Sequence, residues 1–355
     1  MDTGPTAAFK DFAAQLMAKL FEYVLQKENQ NQKINILVAT SGDTGSAIAS
    51  AFCGLKNLQI SVLFPLQEVS PTQRKLMTTL GQNIHCFAVG GKFDDCQSMV
   101  KTAFLDPDLA KINLSSANSI NLGRLLPQIV YYFYLESRLR KILKKDQVNP
   151  VFAIPSGNFG NLMGAVFAEK MGLKMHKIIA ATNLNRTFVN FLEKQEYQPI
   201  DPSINYLSNA INVGSPNNIF RIIQAFQGRM LSSFKMPTPP DFTALKKLIS
   251  AYSFDDQATK KIMQKAFTKN IILEPHGAVG MLGLTSFWQT EDPANYTSVL
   301  LETASPAKFP DQIKTILNHQ PTKPNSIQNS ENKPEQYQKI SNNYQAFKQN
   351  LLNRA

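Results

Sequence analysis

The stretch VFAIPSGNFGNLMG, Val151 to Gly164, constrains this chain more than any other. It reads as a short buried strand from Val151 to Ile154, a tight turn Ser156-Gly157-Asn158-Phe159-Gly160, and a helix from about Asn161. Glycines in such a turn let backbone N–H groups converge, and the helix N-terminus adds about half a positive charge. Together they make a seat for a phosphate dianion, to which Ser156 and Asn158 can add side-chain hydrogen bonds. The spacing matches neither G-x-x-x-x-G-K-[ST] nor G-x-G-x-x-G, so neither a P-loop nor a dinucleotide fold is indicated. A glycine-rich turn with no ligand is the plain alternative.

A second unit of this kind comes earlier. Strand Ile34 to Ala39 runs into Thr40-Ser41-Gly42-Asp43-Thr44-Gly45 and then a helix with Ile48, Ala51, Phe52 and Leu55 on one face. Backbone amides at that turn suit a carboxylate, although an N-cap cluster would account for Ser41 and Thr44 equally well. Further strands are expected at Ile60 to Phe64, Ile84 to Val89, Ile112 to Leu114, Ile178 to Thr182 and Val299 to Leu301. Helices separate them, one opened by Ser70-Pro71 as N-cap and first helical position. The alternation predicts parallel sheets covered on both faces, with ligands beyond the strand C-terminal ends. The turn from Ser115 to Asn121 precedes Arg124 and a long helix to about Lys144. Asn183 to Arg186 and Leu207 to Ala210 are polar turns without sharp chemistry of their own, and Glu274-Pro275-His276-Gly277 opens another helix. From Pro321 onward 12 of 35 residues are Asn or Gln. That composition predicts a solvated linker ending in one helix, Tyr344 to Leu352.

Near the start, Phe12, Leu16, Leu20 and Val24 recur at helical spacing and predict a helix to about Gln26 that buries this stripe. Lys10 opens that helix between Phe9 and Phe12. The helix dipole and the apolar rings both disfavour an ammonium there. A lysine so placed either snorkels to water or is kept as a nucleophile.

With 355 residues, 43% of them hydrophobic and 18% charged, the chain has room for two folded domains. No apolar run reaches the ~18 residues of a membrane span, and the first residues lack a basic-then-apolar signal. Cys53, Cys86 and Cys96 show no CxxC spacing and suit reduced thiols of a cytoplasmic protein; no metal is expected. Lys and Arg number 37 against 26 Asp and Glu, but no block of like charge stands out. The lack of such a block weakens a nucleic-acid reading, and a diffuse positive field suits anionic small molecules as well as it suits polynucleotides; no nucleic-acid partner is expected.

GPTAAFKDF, ATSGDTGSA, the NSIN segment with its arginine, PSGNFGN, ATNLN, LSNA and ETASPAKF follow one another in this order. The series resembles the threonine synthase family, pyridoxal-phosphate enzymes of the tryptophan-synthase-β (fold type II) group, over essentially the whole chain. The resemblance implies two doubly wound α/β domains with parallel sheets and pyridoxal 5'-phosphate in the cleft between them. It implies conversion of O-phospho-L-homoserine and water to L-threonine and phosphate, by elimination and hydration, in a monomer or homodimer. By the same resemblance Lys10 carries the cofactor covalently and serves as the catalytic base. Ser156, Gly157, Asn158, Phe159 and Gly160 hold the cofactor phosphate, and Thr303 meets the pyridine nitrogen. Thr40, Ser41, Gly42, Asp43 and Thr44 bind the substrate, Ser41 to Thr44 wrapping its carboxylate, and Asn118, Ser119 and Arg124 match polar positions at the substrate end. Asp43, where dehydratases of the group usually carry asparagine, separates this chain from them. Ser305 stands where many relatives carry histidine.

The expected division is 1–30 for the cofactor lysine and first helix and 31–135 for a small domain. A large phosphate-binding domain takes 136–320, and a linker with its helix takes 321–355. Family members carry a substantial segment ahead of FKDF, whereas Phe9 opens that motif here. A truncated product, a misplaced start or a paralogue that lost part of its small domain would each account for this, and the expectation is a chain prone to self-association, weak in cofactor retention and slow in turnover, or a non-catalytic binding protein.

Overall fold

In the computed structural model, which describes residues 3–28 and 33–353, the expected α/β alternation is present throughout. The strands are β1 (Ile34–Ala39), β2 (Leu58–Pro65), β3 (Ile84–Gly90), β4 (Asn113–Ser116) and β5 (Val151–Pro155). They continue as β6 (Lys177–Asn183), β7 (Ile249–Phe254), β8 (Ser298–Leu300) and β9 (Gln338–Ser341). Two sheets result, ordered β4-β1-β2-β3-β9 and β7-β6-β5-β8. Every pairing among these strands is parallel, with register such as Ile36 opposite Ile60 and Ile154 opposite Ala180. Parallel strands need crossovers, and helices provide them.

The chain divides into two units. The first comprises Met1–Arg124, Ala304–Asp311 and Gln320–Ala355, and the second Leu125–Thr303 and Gln312–His319. In the first, Ile36, Val38, Ile60, Val62 and Phe64 of the sheet pack with Ile48 and Phe52 in one buried cluster. In the second, Val151, Ala153 and Ile179 pack with Leu284 and Phe287. Among the described residues no helix is long and apolar enough to cross a membrane.

Three expectations change. The first helix runs Lys10–Lys27, but Phe12, Leu16, Leu20 and Val24 are 46%, 46%, 48% and 51% exposed. The buried face is the neighbouring one, Ala13, Ala14, Met17 and Ala18, and the last three join the Ile48 and Phe52 cluster. Both stripes repeat at helical spacing, and alanines let the helix axis come closer to its neighbour than large side chains would. The long helix expected after Arg124 is interrupted at Pro127: a helix Leu122–Leu125 gives way to a 3-10 turn, Leu126–Gln128, before Ile129–Leu143 begins. Proline has no N–H for the helical ladder.

The segment from Pro321 is the third. It holds a helix Asn325–Glu331 and strand β9, which pairs with β3, before the expected helix Tyr344–Leu352. Its few apolar residues are its anchors. Ile327, Ile340 and Phe347 are buried, and the Phe347 ring meets Phe87 edge-on at 5.7 Å. Charge pairs add to this: Glu335 takes both Nε (2.9 Å) and Nη2 (3.0 Å) of Arg74, and Lys348 reaches Asp106 and Asp108. A composition average hides so sparse a pattern.

Candidate active site

Lys10 is placed by its own neighbourhood. Asp11 accepts hydrogen bonds from Thr6 N–H (2.8 Å), Thr6 Oγ1 (2.5 Å) and Ala8 N–H (3.4 Å), folding the preceding loop back over the first helical turn. Ala8 bridges to Ala304, and Ser305 N–H donates to Ala7 O at 3.0 Å. The Lys10 side chain, only 17% exposed, ends with Nζ 3.5 Å from Asp43 Oδ2 and 4.6 Å from the Phe9 ring centroid. Burial is the main cause that lowers its pKa below that of an ordinary lysine. Asp43 opposes the shift, while Lys308 and Arg124 reinforce it. The Phe9 ring faces the ammonium as a cation–π partner, so the aromatic neighbour does not by itself expel the charge.

Asp43 has closer partners than Lys10. Its Oδ1 lies 2.7 Å from Lys308 Nζ and accepts from Gln73 Nε2 at 2.9 Å. Lys308 is fully buried. Ser305 Oγ caps the 3-10 turn Pro306–Lys308 through Ala307 N–H at 3.3 Å, which presents that lysine. Gln73 in turn completes a capping box with Ser70, whose hydroxyl donates to Lys308 O at 2.9 Å. Gly42, at φ +121°, lies under Gln73, where a Cβ would come within 2.6 Å of that side chain.

The remaining first-unit candidates line the C-terminal ends of β1 and β4, which are adjacent in the sheet. Thr40 Oγ1 accepts from Gly42 N–H (2.9 Å) and Gly45 N–H (2.7 Å) and so shapes the turn that carries half-buried Ser41 and Thr44. Asn118 brackets the Ala39 backbone, donating to its O at 2.7 Å and accepting from its N–H at 3.2 Å. Ser119 follows, half-buried. Arg124 is buried and donates to Ala117 O at 3.0 Å. Ser41, Gly42, Asp43, Thr44, Asn118, Ser119 and Arg124 thus share one end of one sheet.

In the second unit β5 leads into the turn Ser156–Phe159 and the helix Gly160–Lys170, which starts one residue earlier than expected. Ser156 Oγ donates to Asn161 Oδ1 at 2.6 Å, and Asn161 Nδ2 to Pro155 O at 2.9 Å. Positive φ falls on Phe159 (φ +55°), not on a glycine; its ring is buried 4.8 Å from the Phe188 ring, which holds the strained backbone. Gly157 is needed for proximity instead. A Cβ there would stand 2.8 Å from Ile211 Cα and 2.9 Å from Val213 Cγ2. Asn158 Oδ1 accepts from Asn217 N–H at 3.2 Å, and its carbonyl from Asn218 Nδ2 at 2.8 Å. No side chain caps the helix at Phe159. Leu301 N–H donates to Ala153 O at 3.0 Å, so buried Thr303 lies just past the end of β8 beside β5.

Sequence reasoning missed Asp11, Gln73 and Lys308. The signal for Lys308 was its position between Ala307 and Phe309, an ammonium inside an apolar run. It missed also that the polar turns meet. Asn183 Nδ2 donates to Asn212 Oδ1 (2.6 Å) and Ser208 Oγ (3.1 Å), tying β6 to the segment facing Gly157.

The family model for pyridoxal-phosphate dependent enzymes matches residues 1–301, and that for the threonine synthase C-terminal region matches residues 277–350. Threonine synthase of Buchnera aphidicola subsp. Acyrthosiphon pisum is 38% identical over 327 residues, 92% of this chain and 71% of that protein. The crystal structure of Escherichia coli threonine synthase superposes with a TM-score of 0.87 at 34% identity, covering 100% of this chain and 77% of that one. The pyridoxal-phosphate-bound threonine synthase of Brucella melitensis gives a TM-score of 0.85 at 31% identity, covering 99% and 76%.

Proposed function

The chain belongs to the threonine synthase family of pyridoxal-phosphate-dependent enzymes, and we propose that it converts O-phospho-L-homoserine and water to L-threonine and phosphate, with Lys10 as the residue that carries the cofactor and moves protons. The observation that supports this most is the Lys10 side chain, largely withdrawn from solvent beside Asp43, whose ammonium is disfavoured by its surroundings. A neutral amine is what covalent attachment and proton abstraction both require.

The residues fit the cofactor. The backbone of Ser156–Gly160, backed at Gly157 by Ile211 and Val213, leads into a helix N-terminus with no side-chain cap, a seat for the cofactor phosphate. Thr303 supplies a hydroxyl for the pyridine nitrogen. When bound, the cofactor supplies an electron sink that stabilises negative charge developing on the substrate.

This chain's own residues supply the rest. Lys10 Nζ takes and returns protons at substrate Cα and Cβ. Asp43 holds the amine in place through a contact loose enough to leave it a base, because Lys308 and Gln73 already engage the carboxylate. The turn Thr40–Thr44 receives the substrate carboxylate through backbone amides at the N-terminus of the helix Asp43–Phe52, with Thr40 fixing the turn. Asn118 and Ser119 line the substrate's other end, and Arg124 provides positive charge for its phosphate.

Purified protein loaded with pyridoxal 5'-phosphate should release phosphate from O-phospho-L-homoserine and form threonine in equal amount. Phosphate release without threonine, or neither product, overturns the assignment.

A further inference from the structure

The helix Pro275–Phe287 begins with a fully buried pair that the reaction does not use. Glu274 accepts from the backbone N–H of His276 (2.8 Å) and of Gly277 (2.7 Å), as an N-cap does. The same carboxylate meets His276 Nδ1 at 2.5 Å. On its far side His276 Nε2 accepts a hydrogen bond from Ala210 N–H at 3.0 Å. A backbone N–H can only donate, so the imidazole carries its proton on Nδ1, where the carboxylate holds it. The ring has one orientation and one tautomer.

Ala210 is no arbitrary target. It lies in the 3-10 turn Asn209–Ile211, whose Ile211 Cα and Ala210 O are the atoms a Cβ on Gly157 would strike, at 2.8 and 3.2 Å. Val279, one turn further along the same helix, packs on Ile211 together with Ala181. The helix therefore grips this turn by one polar and one apolar contact, and the turn is the wall behind Gly157.

We propose that Glu274 and His276 form a positioning pair that fixes Ala210 and Ile211 as the wall of the cofactor's phosphate seat at Gly157. This rests on the reading of Ser156–Gly160 as that seat. Without the imidazole acceptor, the N–H of half-buried Ala210 loses its partner and the turn relaxes to find another. The Gly157 backbone then loses its backing, and affinity for the phosphate group falls while the rest of the cofactor is untouched.

The test compares binding of pyridoxal 5'-phosphate and of pyridoxal, which lacks the phosphate, to the full chain. His276→Gln keeps an acceptor near the Nε2 position; His276→Asn and His276→Leu do not. We expect His276→Asn and His276→Leu to bind pyridoxal 5'-phosphate roughly tenfold more weakly, the usual effect of a donor that loses its acceptor. Pyridoxal binding should be unchanged, and His276→Gln should bind both as the native chain does. If His276→Leu does not fold, the contrast between Gln and Asn decides. Native affinity in the Asn variant, or equal weakening of both ligands, overturns the proposal. Gly157→Val is the separate check on the seat: it should lose pyridoxal 5'-phosphate selectively, and if it does not, the seat reading fails rather than the pair.

Discussion

Lys308 Nζ lies 2.7 Å from Asp43 Oδ1, which leaves Lys10, at 3.5 Å from Oδ2, the looser partner of the same carboxylate. Burial does most to lower the Lys10 pKa, and around the amine one anion favours its protonation while two cations oppose it. Substitutions on the two sides should therefore move its titration in opposite directions. Asp43→Asn removes the favourable charge and should lower the Lys10 pKa further. Lys308→Met removes a repulsion and frees Asp43 for Lys10, so it should raise that pKa. The measurement is the pH dependence of Lys10 acetylation in cofactor-free protein, followed by mass spectrometry. Shifts of the same sign in both variants would contradict the balance described here.

Lys10→Ala should abolish covalent retention of the cofactor and cut turnover by roughly 10²–10⁴-fold, the usual worth of a positioned base. Borohydride reduction of the native holoenzyme followed by peptide mapping should place the cofactor on Lys10. Label found on a different lysine would remove Lys10 from the chemistry.

Thr303→Val keeps the shape of a buried side chain and deletes its hydroxyl. An acceptor left unpaired costs about 1–3 kcal/mol, so turnover or cofactor affinity should fall roughly ten- to a hundredfold. The absorbance of the bound cofactor should shift as well. Unchanged kinetics and an unchanged spectrum would mean that Thr303 does not face the ring.

Phe347→Ala tests the docking of the C-terminal helix on the first unit. Phe347 is fully buried against Phe87, and truncating such a ring costs about 3–5 kcal/mol. Urea unfolding followed by a first-unit probe should show that loss. A midpoint within error of the native chain would mean that the segment contributes little.

What the sequence made legible was local. The strand–turn–helix units at Ala39–Asp43 and Pro155–Gly160 were readable because apolar runs, glycines and hydroxyls lie side by side in the chain. The capping box at Ser70 was readable in part, since Ser70-Pro71 is a local signal, but Gln73's second contact with Asp43 was not. Asp43, Gln73 and Lys308 come from three separate segments, and no periodicity records their meeting. The first helix went wrong for another reason. Its apolar residues occupy two adjacent stripes, and which one is buried depends on how closely the Asp43–Phe52 helix approaches. The Asn- and Gln-rich segment misled because three well-placed apolar residues outweigh an average.

The order of the strands also sets an order of events during synthesis. The first unit is interrupted at Arg124 and resumes only at Ala304, so its sheet and its buried charges are completed by residues made late. On a ribosome adding ~5–20 residues per second, β3 emerges on the order of tens of seconds before β9 exists to pair with it. For that interval the nascent chain carries an open parallel edge, and until residue 308 is made Asp43 lacks its Lys308. An open edge of that kind invites pairing with a neighbouring nascent chain. The clasp that ends the exposure is four residues long, Gln338 to Ser341.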